Sequence, residues 1–314
     1  MTNWPCDYNQ AWTLARASER SGVGLHSGQT SRVRLQPSDR AGYWVGWLDD
    51  PALPLQRLEP GCVADTRLCT ALALGQRRLA TVEHLLAALA GCGVSQAELW
   101  VEGEEVPLLD GSALPWVEAI GESGLRNCGR RQVPALPADP ILIHQGTGFA
   151  LAQSADTLRL SAAVDYPQPA IGRQFFSLEL TPALFVEAIA PARTFGFREQ
   201  VDQLLAAGLI KGGALDNALV CDGEHWLNPP LRFADEPVRH KLLDLLGDLA
   251  LVGLPQAHVF AYRGSHGLHT ALAAAIATAQ IDGFNPVGMA SDSLPLTLST
   301  ASVTTGPLPS PARP

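Results

Sequence analysis

Hydrophobic and polar residues alternate along several stretches of the N-terminal half, with the two-residue period of a strand that buries one face. This alternation predicts four strands, at Trp12–Arg20, Arg32–Gln36, Tyr43–Leu48 and Ala97–Glu102. Apolar residues recur at helical spacing in two further stretches, which predicts helices at Thr81–Ala90 and Ser112–Glu122. The N-terminal half is therefore predicted to be a β-sheet covered by helices.

Three prolines fall within residues 133–140, so this segment is predicted to be a linker rather than part of a helix or strand. After it, the pattern predicts strands at Ile141–His144, Phe149–Gln153, Leu158–Val164, Gln174–Leu180 and Ala257–Tyr262. It predicts helices at Pro182–Ile189, Glu199–Ala207, Pro237–Val252 and Leu268–Thr278. We expect an α+β fold of two similar domains, 1–132 and 141–283, followed by a loose tail at 284–314.

Composition narrows the class of protein. Hydrophobic residues make up 46% of the 314 residues, enough for a packed core. No apolar run reaches the roughly 18 residues of a membrane span, and the first residues lack the basic-then-apolar order of a secretory signal. We therefore expect a cytoplasmic protein without stable membrane insertion. A net charge of −9 argues against nucleic-acid binding, and six cysteines without a Cys-x-x-Cys pair argue against a thiolate zinc site.

Two of the predicted helices carry side chains of the types that commonly bind metal ions. His240 and Asp244 lie four residues apart, on one face of a helix, where they could hold one ion together. His84, in the other helix, is a candidate third ligand, and Glu83 beside it is a candidate base. Two imidazoles, one carboxylate and an open position are the composition of a catalytic zinc centre.

These residues also have an ordinary structural interpretation. His240, Asp244 and Asp248 fall opposite a row of leucines, as polar residues do on the exposed face of an amphipathic helix. Glu83 suits the positive end of a helix dipole, and His84 would then be a surface imidazole. The residues alone leave both interpretations open.

Three loops contain further candidates for chemistry. Thr194 precedes two aromatic residues around a glycine and could offer its hydroxyl to a developing oxyanion. Gly213, in a Gly-Gly pair, allows a ligand to approach the backbone closely. His266 lies in a Gly/Ser loop between a predicted strand and a predicted helix, where it could act as an acid. Each has an ordinary alternative: a turn with its rings in the core for the Thr194 segment, a plain turn for the Gly-Gly pair, and a surface residue for His266.

Taken together, these segments resemble the zinc-dependent UDP-3-O-acyl-N-acetylglucosamine deacetylases of lipid A biosynthesis. The matching segments follow the family's order along most of the chain: Ser21–Gly28, Asp65–Thr70, Thr81–Leu85, Asp110–Ala113, Ala192–Phe197, Lys211–Asn217, Phe233–Leu249 and the loop around His266. The resemblance implies two similar domains, each a β-sheet layered against helices, with the active site between them. It also implies hydrolysis of the substrate's acetamido group, which is the committed step of lipid A biosynthesis.

The resemblance assigns a role to each candidate residue. Zn²⁺ would be held by His84, His240 and Asp244, with Glu83 as the general base. Catalysis would further involve His266 as the acid, Asp248 to orient its ring, and Thr194. Substrate contacts would come from Lys241, Arg263, Phe195 and Gly213. The implied partner is a UDP-linked, acylated amino sugar, and we expect a monomer.

Two departures from the family pattern lie beside His266. The family usually has Ser-Gly before this histidine, whereas the chain has Gly264-Ser265. The following Leu-Asn-Asn is replaced by Leu-His-Thr, which makes His269 a possible rival as the acid. Three alternatives stay open: iron in place of zinc, a different acylated sugar nucleotide as the substrate, and a binding protein with a degenerate site.

Overall fold

The alternating pattern of the sequence becomes alternating burial in the folded chain. In the computed structural model, which describes residues 4–281, Ser31, Val33 and Leu35 are buried and the residues between them are only partly buried. The strands of the described chain are β1 (Gln10–Leu14), β2 (Ser18–Val23), β3 (Thr30–Gln36), β4 (Gly42–Trp47), β5 (Gln56–Arg57), β6 (Val63–Asp65), β7 (Ala71–Leu74), β8 (Arg77–Leu79), β9 (Val94–Glu102), β10 (Leu125–Arg130), β11 (Ile141–Gln145), β12 (Gly148–Ser154), β13 (Arg159–Asp165), β14 (Arg173–Glu179), β15 (Phe195–Phe197), β16 (Leu219–Asp222), β17 (His225–Trp226) and β18 (Ala257–Tyr262).

The strands form two large sheets and two small ones. The first sheet has the order β10-β1-β9-β3-β2, with β4 also paired to β9 and β5 paired to β4. The second has the order β11-β12-β18-β13-β14, in which β13 and β18 run parallel. Two three-stranded sheets, β6-β7-β8 and β15-β16-β17, lie outside these.

The helices are α1 (Glu83–Gly91), α2 (Leu114–Ser123), α3 (Pro182–Ala188), α4 (Arg198–Ala206), α5 (Glu236–Leu249) and α6 (His266–Ile281). Helices α1 and α2 pack on the first large sheet, and α5 and α6 pack on the second. Because α1 also packs along α5, the two helical layers meet. This arrangement confirms the predicted α+β fold of two layered units. None of the helices in the described range is long and apolar enough to cross a bilayer.

One prediction about local structure was wrong. The predicted strand Trp12–Arg20 is two strands, because the chain bends away from the sheet at three exposed residues after Leu14. The segment around Thr194, for which a turn was the ordinary alternative, leads directly into β15, which pairs in parallel with β16. Residues 133–140 contain no helix or strand, as expected for a linker. The domain boundaries stay a prediction, and the tail at 284–314 lies outside the described residues.

Candidate active site

The first turn of α1 and the middle of α5 bring the candidate residues together. Glu83 and His84 begin α1, while His240, Asp244 and Asp248 occupy successive turns on one side of α5. All of these side chains are buried. The exposed amphipathic helix that the sequence also allowed is therefore wrong, because the polar face of α5 is covered by α1.

A glycine sets how closely the two helices approach. A Cβ atom at Gly247 would overlap the main-chain carbonyl oxygen of Glu83. Only glycine leaves room for this contact. The backbone of α5 can therefore touch the start of α1 next to the ligand candidates.

The side chains of His84, His240 and Asp244 converge on one point. The Nε2 atom of His240 lies 3.3 Å from Oδ1 of Asp244, and Nε2 of His84 lies 3.7 Å from the same oxygen. The two imidazole rings meet edge to face with centroids 4.9 Å apart. Ligand atoms about 2.0–2.1 Å from a tetrahedrally bound ion lie about 3.3–3.5 Å from one another. The distance of 3.3 Å falls in this range and that of 3.7 Å lies slightly above it, and the three donor atoms all lie within 4.8 Å of one another.

The hydrogen bonds around the cluster leave Nε2 of His240 and Oδ1 of Asp244 available to bind an ion. Nδ1 of His240 donates to the carbonyl oxygen of Ala192 at 3.0 Å, so Nε2 carries the lone pair. Lys241 donates to Oδ2 of Asp244 at 2.9 Å. The other oxygen, Oδ1, is buried and has no hydrogen-bond partner among residues 4–281. An unpaired buried carboxylate oxygen facing two imidazole nitrogens is costly unless a cation joins them.

The protonation states also suit a metal site. Burial and the neighbouring His240 lower the pKa of His84 to about 3, and burial lowers that of His240 as well, so both rings are neutral. Burial opposes the charge on Asp244, but the Lys241 ammonium holds its pKa well below the usual value. Two neutral imidazoles and a carboxylate are therefore available as ligands.

Glu83 lies beside this cluster and has the properties of a proton acceptor. Its Oε2 atom accepts a hydrogen bond from the main-chain N–H of Thr70 at 3.0 Å. Burial, together with the charges of Asp248 and Asp244, raises its pKa to about 7 against the opposing effect of His266. A carboxylate with a pKa near neutrality is well matched to general-base work.

His266 begins α6 and is held by Asp248. Its Nδ1 atom lies 3.0 Å from Oδ2 of Asp248, whose Oδ1 accepts from the hydroxyl of Thr70. Burial lowers the pKa of His266, but the Asp248 carboxylate outweighs burial and raises it to about 9. The ring is therefore an imidazolium near neutral pH and can act as a proton donor.

These groups share a cavity of about 240 Å³. Its wall includes Glu83, His84, Thr194, Phe195, His240, Lys241, Asp244 and His266, along with the apolar Leu25, Leu68 and Leu108. His269 does not contribute to this wall, although its Nδ1 atom also contacts Asp248. Of the two histidines that compete for the acid role, only His266 faces the cavity.

Two predicted substrate-binding residues lie outside the cavity wall. The Arg263 guanidinium donates to Oδ2 of Asp165 at 3.0 Å and to the hydroxyl of Thr147 at 2.9 Å. Gly213 lies next to Leu25, which does line the cavity. Contacts of Arg263 and Gly213 with substrate stay predictions.

Sequence reasoning missed several supporting residues. Glu236 is fully buried and accepts hydrogen bonds from the main-chain N–H and the Nε atom of Arg193. This fixes the loop whose Ala192 carbonyl orients His240.

Glu105 is a second supporting glutamate. It holds the loop before β3 by accepting hydrogen bonds from the N–H groups of His26 and Ser27, and it also accepts one from the hydroxyl of Thr81. In the sequence alone, nothing distinguishes these two glutamates from exposed ones.

An α+β chain with two neutral imidazoles and a carboxylate around one point, and a separate carboxylate beside them, has the site composition of a mononuclear metallohydrolase. The family model of LpxC, UDP-3-O-acyl N-acetylglycosamine deacetylase, matches residues 11–278. The chain belongs to this family.

Curated relatives agree with the family assignment. A UDP-3-O-acyl-N-acetylglucosamine deacetylase of Trichormus variabilis is 48% identical over 272 residues, which cover 83% of this chain and 96% of the relative. The protein of the same name from Thermosynechococcus vestitus is 49% identical over 271 residues, covering 86% and 94%. A probable mitochondrial UDP-3-O-acyl-N-acetylglucosamine deacetylase 1 of Arabidopsis thaliana is 42% identical over 287 residues, covering 83% and 86%.

Proposed function

We propose that this protein is a zinc-dependent deacetylase that hydrolyses the acetamido group of a UDP-linked, 3-O-acylated N-acetylglucosamine, as in lipid A biosynthesis. The observation that carries the proposal is the unpaired Oδ1 atom of Asp244, which faces Nε2 of both His84 and His240 in a buried site. Zinc suits two imidazoles and one carboxylate, and it leaves a position for substrate. Zinc held there supplies a Lewis acid for the acetyl carbonyl.

The side chains of the chain itself carry the proton transfers. Glu83 takes a proton from the attacking water, whose oxygen forms a bond to the acetyl carbon. The Thr194 hydroxyl donates to the oxygen on which charge develops. The C–N bond then breaks, and His266 gives its proton to the departing amine while Asp248 holds the ring. The products are acetate and a free amine on the sugar.

The remaining assignments concern the substrate and its surroundings. Lys241 and Phe195 line the cavity and are proposed to contact the sugar, with Arg263 and Gly213 nearer to the UDP group. The apolar side chains of Leu25, Leu68 and Leu108 in the same wall suit an acyl chain. We further propose a cytoplasmic monomer that binds no nucleic acid, and the net charge of −9 supports the last point.

The test measures acetate release and metal content together. We expect the purified protein to contain about one zinc per chain. It should release acetate from the 3-O-acylated UDP-sugar much faster than from plain UDP-N-acetylglucosamine. Equal rates on both substrates would indicate a different amidohydrolase, and metal-free protein without activity after zinc addition would indicate a degenerate site. Iron at higher occupancy than zinc in protein purified without added metal would revise the choice of metal.

A further inference from the structure

A second histidine shares the carboxylate that holds His266. His266 and His269 lie three residues apart in the first turn of α6, so both rings point to the same side of the helix. Nδ1 of His266 lies 3.0 Å from Oδ2 of Asp248, and Nδ1 of His269 lies 3.1 Å from the same oxygen. We propose that His269 is a positioning residue that fixes Asp248 and, through it, the ring of the acid His266. This inference rests on the proposed deacetylase function.

The hydrogen-bond chemistry assigns different tasks to the two rings. An ionised carboxylate only accepts hydrogen bonds, so each Nδ1 atom must carry a proton. The hydroxyl of Thr70 occupies the other oxygen of Asp248, which leaves this carboxylate with donors on both sides. His266 therefore offers its opposite nitrogen to the cavity, whereas the Nε2 atom of His269 is buried and unpartnered within the described chain. His269 has no path to the substrate and acts only through Asp248.

Gly264 leaves the space that the ring of His269 occupies. A Cβ atom at position 264 would overlap Nε2 of His269 and would lie 3.2 Å from the Cβ atom of Ala261. The ring cannot simply swing away, because Asp248 holds its other nitrogen. The glycine at 264 and the histidine at 269 therefore fit one another, and the two departures from the family pattern are parts of one arrangement.

His269 competes with His266 for one oxygen. Burial lowers the pKa of His269 against the effect of Asp248, so this ring is a neutral donor near pH 7. A neutral N–H on Oδ2 draws charge away from the contact between Asp248 and the His266 imidazolium. The other titratable groups around His266 are Asp244 and His240 on α5, Glu83 and His84 on α1, and His26 in the loop before β3. Loss of the His269 donor leaves these groups in place. It concentrates more of the Asp248 charge on the contact with His266, so the pKa of His266 should rise.

The experiment compares two substitutions at 269 that differ in where they place a donor. The side-chain amide of Asn reaches the position of histidine Nδ1, whereas that of Gln reaches the position of Nε2. H269Q and His269→Leu should raise the pKa of His266 by about one unit and should lower kcat about 10-fold to 100-fold, with KM little changed. H269N should stay close to the wild type in both measurements.

The pKa of His266 is followed by NMR titration of its ring protons in the zinc-loaded protein, and the alkaline limb of kcat is measured in parallel. Gly264→Ala leaves His269 in the chain but occupies the space of its ring. It should therefore shift the alkaline limb of kcat as H269Q does. Thr278→Ala removes an exposed hydroxyl from the same helix and serves as the matched control.

An unchanged His266 titration in H269Q or, if that variant does not fold, in Gly264→Ala overturns the proposal. Equal shifts in H269N and H269Q also overturn it, because the effect would then be one of packing. If the wild-type protein releases no acetate but the variants show the expected change in the His266 titration, the proposed function is contradicted and the positioning role of His269 stands.

Discussion

The carboxylate of Glu83 combines a buried position with a pKa of about 7, which separates its proposed role from that of the proposed metal ligands. We expect Glu83→Gln to keep the acceptor for the Thr70 N–H and to keep the bound metal, since Glu83 is not part of the ligand cluster. Turnover should fall about 10²-fold to 10⁴-fold, because the side chain can no longer accept a proton. Steady-state kinetics and metal analysis on the same sample test both statements.

A matched control for this change is Glu118→Gln, which alters an exposed carboxylate on α2. This variant should have wild-type kinetics. A kcat of Glu83→Gln within a few-fold of the wild type would remove Glu83 from the role of base.

The pKa values of about 7 for Glu83, as the base, and about 9 for His266, as the acid, predict a bell-shaped dependence of kcat/KM on pH. Glu83 must be ionised to act as a base, so activity rises as the pH increases through about 7. His266 must be protonated to act as an acid, so activity falls as the pH increases through about 9. His266→Ala should flatten the alkaline limb and leave the acidic limb in place. An alkaline limb that survives this substitution would assign the acid to another group.

At the scale of elements, the contact between α1 and α5 depends on Gly247. Alanine normally favours a helix over glycine by about 1 kcal/mol. We expect the opposite at position 247, where Gly247→Ala should destabilise the protein by about 1–3 kcal/mol, because a Cβ atom would overlap the Glu83 carbonyl oxygen. Activity should fall as well, since the same contact sets the distance between His84 and Asp244.

Chemical denaturation of Gly247→Ala and Gly121→Ala measures this difference. Gly121 is a partly exposed glycine inside α2, where alanine should be neutral or stabilising. Similar gains in stability for the two variants would mean that α1 and α5 tolerate a wider separation than the structure indicates.

The sequence predicts the helices and the large-sheet strands better than it predicts their surroundings. The ligand positions on α5 follow from helical spacing, because residues four apart share a face. The burial of that face does not follow from spacing, since it depends on α1, which is more than 140 positions away in the chain. The resemblance to a known family supplied the pairing of His84 with Asp244 that periodicity leaves open.

Short strands and supporting carboxylates were the least predictable features. Strands such as β5 and β17 have two residues each, too few to show an alternating pattern. Glu236 and Glu105 look like surface residues in the sequence because charged side chains are seldom fully buried without partners. Their partners include main-chain N–H groups of distant loops, which carry no signal in the sequence.

At the scale of the whole molecule, backbone strain is concentrated around the cavity. Five non-glycine residues of the described chain have positive φ, and two of them, Leu68 and Thr81, line the cavity. Leu109 and Arg263 directly adjoin the lining residues Leu108 and Gly264. Each such residue costs about 1–3 kcal/mol and persists only where its surroundings hold it. Four of the five strained positions therefore line the cavity or adjoin a residue that lines it.

The proposed metal ligands come from both helical layers, so bound metal should also stabilise the whole fold. A ligand present at about 100 times its dissociation constant adds about 2.7 kcal/mol, which corresponds to a shift in Tm of about 4 °C for a chain of this size. Removing the metal with a chelator should lower Tm by that amount in the wild type, and zinc should restore it. His240→Ala should lose the metal and respond to neither treatment, because α5 then offers only Asp244.

The exposed histidine of β17 provides the control, since His225→Ala should bind metal and respond to the chelator as the wild type does. Full metal occupancy in His240→Ala would place the ligands elsewhere. An unchanged Tm after complete metal removal from the wild type would mean that the two layers hold together without the ion, and that the buried Asp244 carboxylate is adequately stabilised by Lys241 alone.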